Sequence, residues 1–204
     1  TGEHIGTIDA SALSGALSLG FATTGTGTVG IMGGTAGDTL TIEDASGARL
    51  VIHAGDGGDV VNIGASNAHI VTLGSGADML QIGGLAGAAA RDLDISTSQA
   101  LGGSAIWVTD FENGVDTIRL SAASATTKAA PSAAQLEGIA ASGSLLEAAA
   151  LAATTAGAHK AIAFRYGADT YILVNDGAAA LGTNDSLVKL SGVTTLAEAS
   201  WAVA

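Results

Sequence analysis

Three aspartates close three glycine-rich loops: Asp38 in GGTAGD (33–38), Asp59 in AGDGGD (54–59) and Asp78 in LGSGAD (73–78). They stand 21 and 19 residues apart, and two positions after each comes an aliphatic residue, Leu40, Val61 or Leu80. Glycine allows tight turns with positive φ that present backbone carbonyls inward, and each aspartate adds a hard anionic oxygen. Carbonyl and carboxylate oxygens without His or Cys suit Ca²⁺ rather than a transition metal. The candidate ligand set is Gly34, Ala36 and Asp38, Gly55, Gly57 and Asp59, and Gly74, Gly76 and Asp78. An ion between stacked loops takes carboxylates from both neighbours, Asp38 with Asp59 and Asp59 with Asp78, which suggests about two sites and room for a terminal one. A lone Asp-Gly turn needs no metal. Three turns at near-constant spacing, each with an aliphatic at the same offset, favour the cation.

Such loops need a scaffold that stacks them. Short apolar runs begin at residues 16, 28, 39, 49, 60, 70 and 79: ALSL, TVGI, TLTI, RLVI, VVNI, IVTL and MLQI. Each is bounded by Gly, Ser, Thr, Asn or Asp, which marks strands separated by turns. A fixed period of about ten residues signals a repeat architecture. The loops alternate in kind. The acidic ones precede every second strand, while DASGAR (44–49) and GASNAH (64–69) are neutral counterparts, with ATTGTGT (22–28) a weaker one. The full repeat is therefore about twenty residues, two strands and two loops. This predicts a mainly β chain: a parallel β-roll, a calcium-binding solenoid, with all Asp loops on one edge. A C-terminal β-rich cap with two or three short helices follows. The expected division is residues 1–104 for the roll with its Gly/Asp calcium loops and residues 105–204 for the cap.

In the second part AIWVTDF, an Asn113-Gly114 turn and VDTIRL read as a hairpin. Asp110 and Asp116 sit there, either as ligands of a further calcium or as turn and cap residues. Ser132 with Gln135 and Ser144 with Glu147 fit the capping box of two helices, with Gly143 and Gly157 as stops. KAIAFRY and TYILVND flank a Gly-Ala-Asp turn and form a second hairpin. SLVKL (186–190) is another strand, and Thr195 with Glu198 opens a last short helix toward Trp201.

Composition removes other classes. The chain carries 30 Gly, one Pro, no Cys and 13% charged residues, with a net charge of −12. No basic footprint for nucleic acid or anionic membrane exists, and no disulfide framework is possible. Residues 10–37 hold no charge, yet their Gly and Thr content rules out a membrane helix. The opening residues do not read as a signal peptide, and the chain reads as a piece of something longer. His4, His53, His69 and His159 lack metal-ligand spacing, and neither a Gly-x-Ser-x-Gly elbow nor a P-loop occurs. His53 reads as a strand-edge surface residue, Asp44 as solvated, and Asp56 as a backbone or surface-charge contributor. Trp107 and Trp201 read as core or cap residues. No catalytic centre is expected.

The loops approximate the Gly-Gly-x-Gly-x-Asp-x-U-x nonapeptide, U being a large aliphatic, with Ala36, Ala54 and Leu73 as the departures. With them, TDFENGVDTIRLS (109–121) and FRYGADTYILVNDG … NDSLVKLSGVTTL resemble the C-terminal part of RTX (repeats-in-toxin) proteins exported by type I secretion. IDASALSGALSL and the Ala/Thr/Gly richness are similar to RTX-type S-layer proteins. The resemblance implies bound Ca²⁺, an uncleaved export signal within about residues 160–204, passage through a type I secretion ABC transporter, a secreted or cell-surface (S-layer) location, and calcium-dependent self-assembly into a lattice. It also leaves open an RTX adhesin with its recognition domain upstream, or the accessory half of a secreted protease or lipase.

Overall fold

The computed structural model describes residues 6–23, 25–44, 48–64, 68–85, 93–122 and 127–203. Most of the two neutral loops, at 45–47 and 65–67, lies outside the described residues. Among the described residues the chain is mainly β, with parallel sheets and three α-helices.

The β-branched and aliphatic runs form strands close to where the sequence places them, except that the strand of the first run, ALSL (16–19), starts at Ser18 and runs on to Thr23, into the expected loop at 22–28. They are β1 (Thr7–Asp9), β2 (Ser18–Thr23), β3 (Thr28–Met32), β4 (Thr39–Asp44), β5 (Arg49–His53), β6 (Val60–Ile63), β7 (Ile70–Thr72) and β8 (Met79–Leu85). Only β1 carries no clear signal of its own. Successive strands alternate between two sheets. β1, β3, β5 and β7 are neighbours in one, and β2, β4, β6 and β8 in the other, all parallel. Registers follow the sequence period, so Leu19, Leu40, Val61 and Leu80 form one row. Period-two alternation then points one side of each strand into the space between the sheets. Leu40, Val61, Leu80, Leu50, Ile52 and Val71 are fully buried there. Burying one such side chain stabilises the fold by about 1.5–3 kcal/mol.

The period does not stop at residue 104. β9 (Ile106–Val108) pairs parallel with β7, and β10 (Thr117–Ala122) pairs parallel with β8. The expected hairpin across Asn113-Gly114 is therefore corrected: this segment makes one more two-strand winding. Pairing runs straight across the expected 104/105 division. The period is hidden because residues 86–105 intervene between β8 and β9, among them helix α1 (Ser98–Ser104), N-capped by Thr97.

The second hairpin forms as expected. β12 (Lys160–Tyr166) and β13 (Asp169–Val174) are antiparallel about Gly167, and β14 (Ser186–Leu190) joins β13 antiparallel. β14 then pairs parallel with β9, so nine strands make one sheet, with the short β11 (Thr127–Lys128) at its far edge. β15 (Trp201–Val203) pairs with β10 and ends the six-stranded sheet. The expected last helix is only a 3-10 turn, Glu198–Ser200, because the following residues are drawn into this strand.

Two helices cover the C-terminal part of the larger sheet. α2 (Ala133–Ala140) has the full capping box of Ser132 and Gln135. α3 (Leu145–Ala156) is capped by Ser144, but Glu147 reaches back to the N–H of Gly143 instead of that of Ser144. α3 ends at Gly157, with φ of 79°, while α2 ends at Ala141, before Gly143. Leu145, Ala148, Ala149, Ala152 and Ala156 are buried at three- and four-residue spacing. With Ile162, Phe164, Tyr171, Leu173 and Leu187 they form a second core, separate from the one between the sheets.

Candidate metal centre

The three aspartates of the loops lie in one column and are linked by their own backbone. Asp59 Oδ1 accepts the N–H of Asp38 at 2.7 Å, and Asp78 Oδ1 accepts the N–H of Asp59 at 2.8 Å. Asp38 Oδ1 continues the column upward to the N–H of Leu17 at 2.7 Å, and Asp116 Oδ1 extends it downward to the N–H of Asp78 at 3.1 Å. At each step a carboxylate satisfies a backbone donor of the winding before it. The next residue's N–H returns a bond to the upstream carbonyl, as from Val60 to Asp38 and from Met79 to Asp59. Asp38, Asp59, Asp78 and Asp116 are all buried to within 2% of full burial.

The second carboxylate oxygen separates these residues into two kinds. Asp38 Oδ2 accepts the N–H of Gly34, and Asp116 Oδ2 accepts the N–H of Glu112, each four residues back in its own loop. Asp59 Oδ2 and Asp78 Oδ2 are buried without a hydrogen-bond partner. The backbone explains the difference. In the two central loops the residues four and two before the aspartate are left-handed: Gly55 and Gly57 at φ 113° and 123°, Gly74 and Gly76 at 97° and 140°. Gly34 and Ala36 are not left-handed, so the first loop folds onto its own aspartate. Gly74 turns its N–H instead to Asp110, whose carboxylate accepts from both Leu73 and Gly74 at 2.8 Å.

The glycines also set how closely the loops stack. A Cβ on Gly74 would lie 1.7 Å from the Gly55 carbonyl oxygen, and one on Gly76 would lie 1.6 Å from that of Gly57. The carbonyls of Gly34 and Gly55 accept the N–H groups of Asp56 and Ser75. Asp56 itself takes the Ser75 hydroxyl at 2.6 Å, outside the buried column.

An unpaired buried carboxylate oxygen is costly in a low-dielectric setting. Burial raises Asp59 and pushes Asp78 up to about 6, with the neighbouring carboxylates adding to the effect. Asp116 is raised for the same first reason. Nothing in the column carries positive charge. A hard cation is one partner that would satisfy such orphan carboxylate oxygens. Among the described residues no three His, Cys, Asp or Glu side chains converge as a ligand group, so the remaining ligands would be backbone carbonyls.

The sequence-predicted residues thus all fall on one edge, but among the described residues of the column only Asp59 and Asp78 keep a buried carboxylate oxygen with no hydrogen-bond partner. Asp110 and Asp116 act as backbone caps. Their role was concealed by the separation of 38 positions from Asp78 to Asp116, although GVDTIRL repeats the Gly-x-Asp-x-aliphatic order. On the opposite edge His69 does what the aspartates do: it is fully buried, and its Nδ1 accepts the N–H of Leu50 at 3.1 Å. A further buried carboxylate, Asp185, clamps the 176–182 loop by accepting from Asp176 and Gly182, and burial pushes it to about 6. Trp201 is buried, with the Lys128 ammonium 4.2 Å from its ring centroid, whereas Trp107 is 39% exposed.

No protein-family model matches the chain, and a search of curated proteins returns no match. No helix among the described residues is long and apolar enough to cross a membrane.

Proposed function

We propose that the chain is a calcium-stabilised parallel β-roll with a C-terminal cap, serving as the structural C-terminal region of an exported, RTX-like surface protein. The observation that carries this reading is the pair of buried, partnerless oxygens, Asp59 Oδ2 and Asp78 Oδ2, in loops whose left-handed glycines stack at backbone contact. A divalent cation bound there would neutralise the column and complete both carboxylates. Asp59 and Asp78 hold it, the glycine loops supply carbonyl oxygens, and Asp38 and Asp116 close the column at either end.

The chain's charge of −12 gives the cation a second role. Without a counter-ion the stacked carboxylates repel one another, and binding free energy becomes folding free energy. Extracellular calcium modules typically have dissociation constants of about 10⁻⁴–10⁻³ M. Sites in that range stay empty in a cytosol and fill outside, so a loose chain passes a narrow export channel and folds beyond it. The type I export signal, the surface location and calcium-dependent assembly into an S-layer rest on the resemblance of the 109–121 and 160–204 segments. So does the division of roles between roll and cap.

Circular dichroism and calorimetric titration test the cation. Millimolar calcium is expected to raise the melting temperature of the wild type, and Asp59→Asn with Asp78→Asn is expected to remove that rise. Equal stability in calcium and in excess chelator would end the proposal. Electron microscopy of the purified protein with calcium tests assembly, where regular sheets support the S-layer reading and dispersed particles count against it.

A further inference from the structure

We propose that Asn113-Gly114 is a modification site, where Asn113 loses its side-chain amide spontaneously and the docked segment 197–203 holds that reaction back. Conversion of Asn113 then records how long the segment has stayed undocked. The site depends on the 110–116 loop and the strand beside it, not on the cation.

Sequence selects the position. Of the five asparagines, Asn62, Asn67, Asn175 and Asn184 are followed by Ile, Ala, Asp and Asp, and only Asn113 precedes glycine. Deamidation begins when the backbone nitrogen of the following residue attacks Cγ of the asparagine side chain. A Cβ on that following residue crowds the approach and narrows its φ and ψ, and glycine removes both obstacles. A bond forms from the Gly114 nitrogen to Asn113 Cγ, the Gly114 amide proton passes to solvent, and the side-chain nitrogen leaves as ammonia. Water then opens the cyclic imide at either carbonyl and leaves aspartate or isoaspartate at position 113. Asn113 and Gly114 are both exposed, so water reaches them.

The folded loop ties down both reacting groups. The Gly114 N–H is donated to Ser200 Oγ at 2.9 Å, and Asn113 Oδ1 accepts the N–H of Ala197 at 2.7 Å. Nucleophile and electrophile are thus each held by the same C-terminal segment. That segment is fixed in turn by β15, whose Trp201 pairs with Ile118 of β10. Lys128 fixes it a second time: its ammonium donates to the Glu198 carbonyl at 2.9 Å and to the Glu198 carboxylate at 2.8 Å, and lies 4.2 Å from the centroid of the Trp201 ring. Ser200 and Trp201 are buried. Reaction at Asn113 therefore requires local opening of the segment, and its rate follows the open population.

The two products differ at this contact. Aspartate keeps an oxygen for the Ala197 N–H and adds a charge next to Glu112. Isoaspartate routes the main chain through the side-chain carbon and lengthens it by a methylene, so Gly114 no longer meets Ser200 in register. A segment left undocked long enough therefore loses part of the surface on which it docks.

The test is ageing of the full chain in calcium buffer at mildly alkaline pH. Peptide mass spectrometry reads Asn113, with the exposed Asn184 as internal reference, and circular dichroism confirms the fold of each variant. The wild type is expected to deamidate at Asn113 at least about tenfold more slowly than the same chain in guanidinium chloride, while Asn184 stays an amide. Ser200→Ala frees the Gly114 N–H. Ala197→Pro removes the N–H that Asn113 holds, at a φ of −66° that suits proline. Lys128→Ala touches neither reacting group and loosens only the segment. Each variant is expected to raise the native rate at least about threefold, with the rate in denaturant unchanged. A wild type that reacts equally fast folded and denatured, folded variants as slow as the wild type, or Asn184 reacting as fast as Asn113 would each overturn the inference.

Discussion

The backbone N–H of Asp59 is held by Oδ1 of Asp78 at 2.8 Å, while Oδ2 of the same carboxylate is buried with no partner. One side chain therefore has two tasks. It closes a backbone hydrogen bond, and under the proposed function its second oxygen takes the cation.

These two tasks respond differently to substitution. Asp78→Asn keeps an oxygen for the Asp59 N–H and replaces the unpaired charged oxygen with a neutral amide. In chelator at neutral pH this variant is expected to melt higher than the wild type, and in calcium its gain is expected to shrink or vanish. Thermal melts with and without calcium check this. Lower stability in chelator would show that the orphan oxygen carries no penalty.

Asp38→Asn should behave in the opposite way. Both Asp38 oxygens accept backbone N–H groups, from Leu17 and Gly34, so an amide places a donor against a donor. The expected loss is about 1–3 kcal/mol, the same in chelator and in calcium. Denaturant titration under both conditions measures it, and a loss seen only in calcium would mean that Asp38 is a ligand.

The pH response has a definite sign. Asp78 titrates near 6 against an ordinary value of 3.8, and Asp59 and Asp116 are shifted the same way by burial. A raised folded-state value means that the protonated form suits the fold. Its contribution is complete below the unfolded value and is lost as pH rises through the folded one. Without calcium, melting temperature should therefore rise as pH falls from neutral to about 5. With calcium, protons compete for the same oxygens and the affinity should fall over that range. Asp185 contributes to the first trend as well, so comparison with Asp78→Asn isolates the column. Identical pH curves with and without calcium would count against a shared site.

Glycine substitutions should divide by location. Gly76→Ala puts a Cβ 1.6 Å from the Gly57 oxygen at φ of 140° and is expected to cost well over about 1 kcal/mol, with loss of the calcium response. Gly138→Ala in α2 meets nothing within 4 Å and should stabilise by about 1 kcal/mol. Paired denaturant curves test both, and a tolerated Gly76→Ala would show that the loops are not in backbone contact.

The strands β2 to β8 were legible because each apolar run is short, β-branched and bounded by turn residues. The acidic column was legible because one residue type recurs at one offset. The winding of β9 and β10 was not, since α1 and its flanks stretch one repeat to nearly double length. Asn113-Gly114 then imitates a hairpin turn, although its glycine at φ of 89° serves a loop that Asp116 closes. The difference between Asp38 and Asp59 was also hidden. Both sit in near-identical loops, and only the backbone φ at Gly34 against Gly55 decides where the second oxygen goes. The last helix was misread because Thr195 and Glu198 satisfy a local pattern that pairing of Trp201 with Ile118 overrides.

The edges of β9 and β10 are closed by β14 and β15, and the Gly114 N–H is held by the hydroxyl of Ser200, 86 residues later. A chain emerging from the ribosome at about 5–20 residues per second therefore waits roughly 4–17 s between making that turn and making its partner. During that interval the last winding presents two bare strand edges. Closure of these two edges therefore waits until residues 186–203 are free to dock, and any factor that holds those residues also holds the edges open.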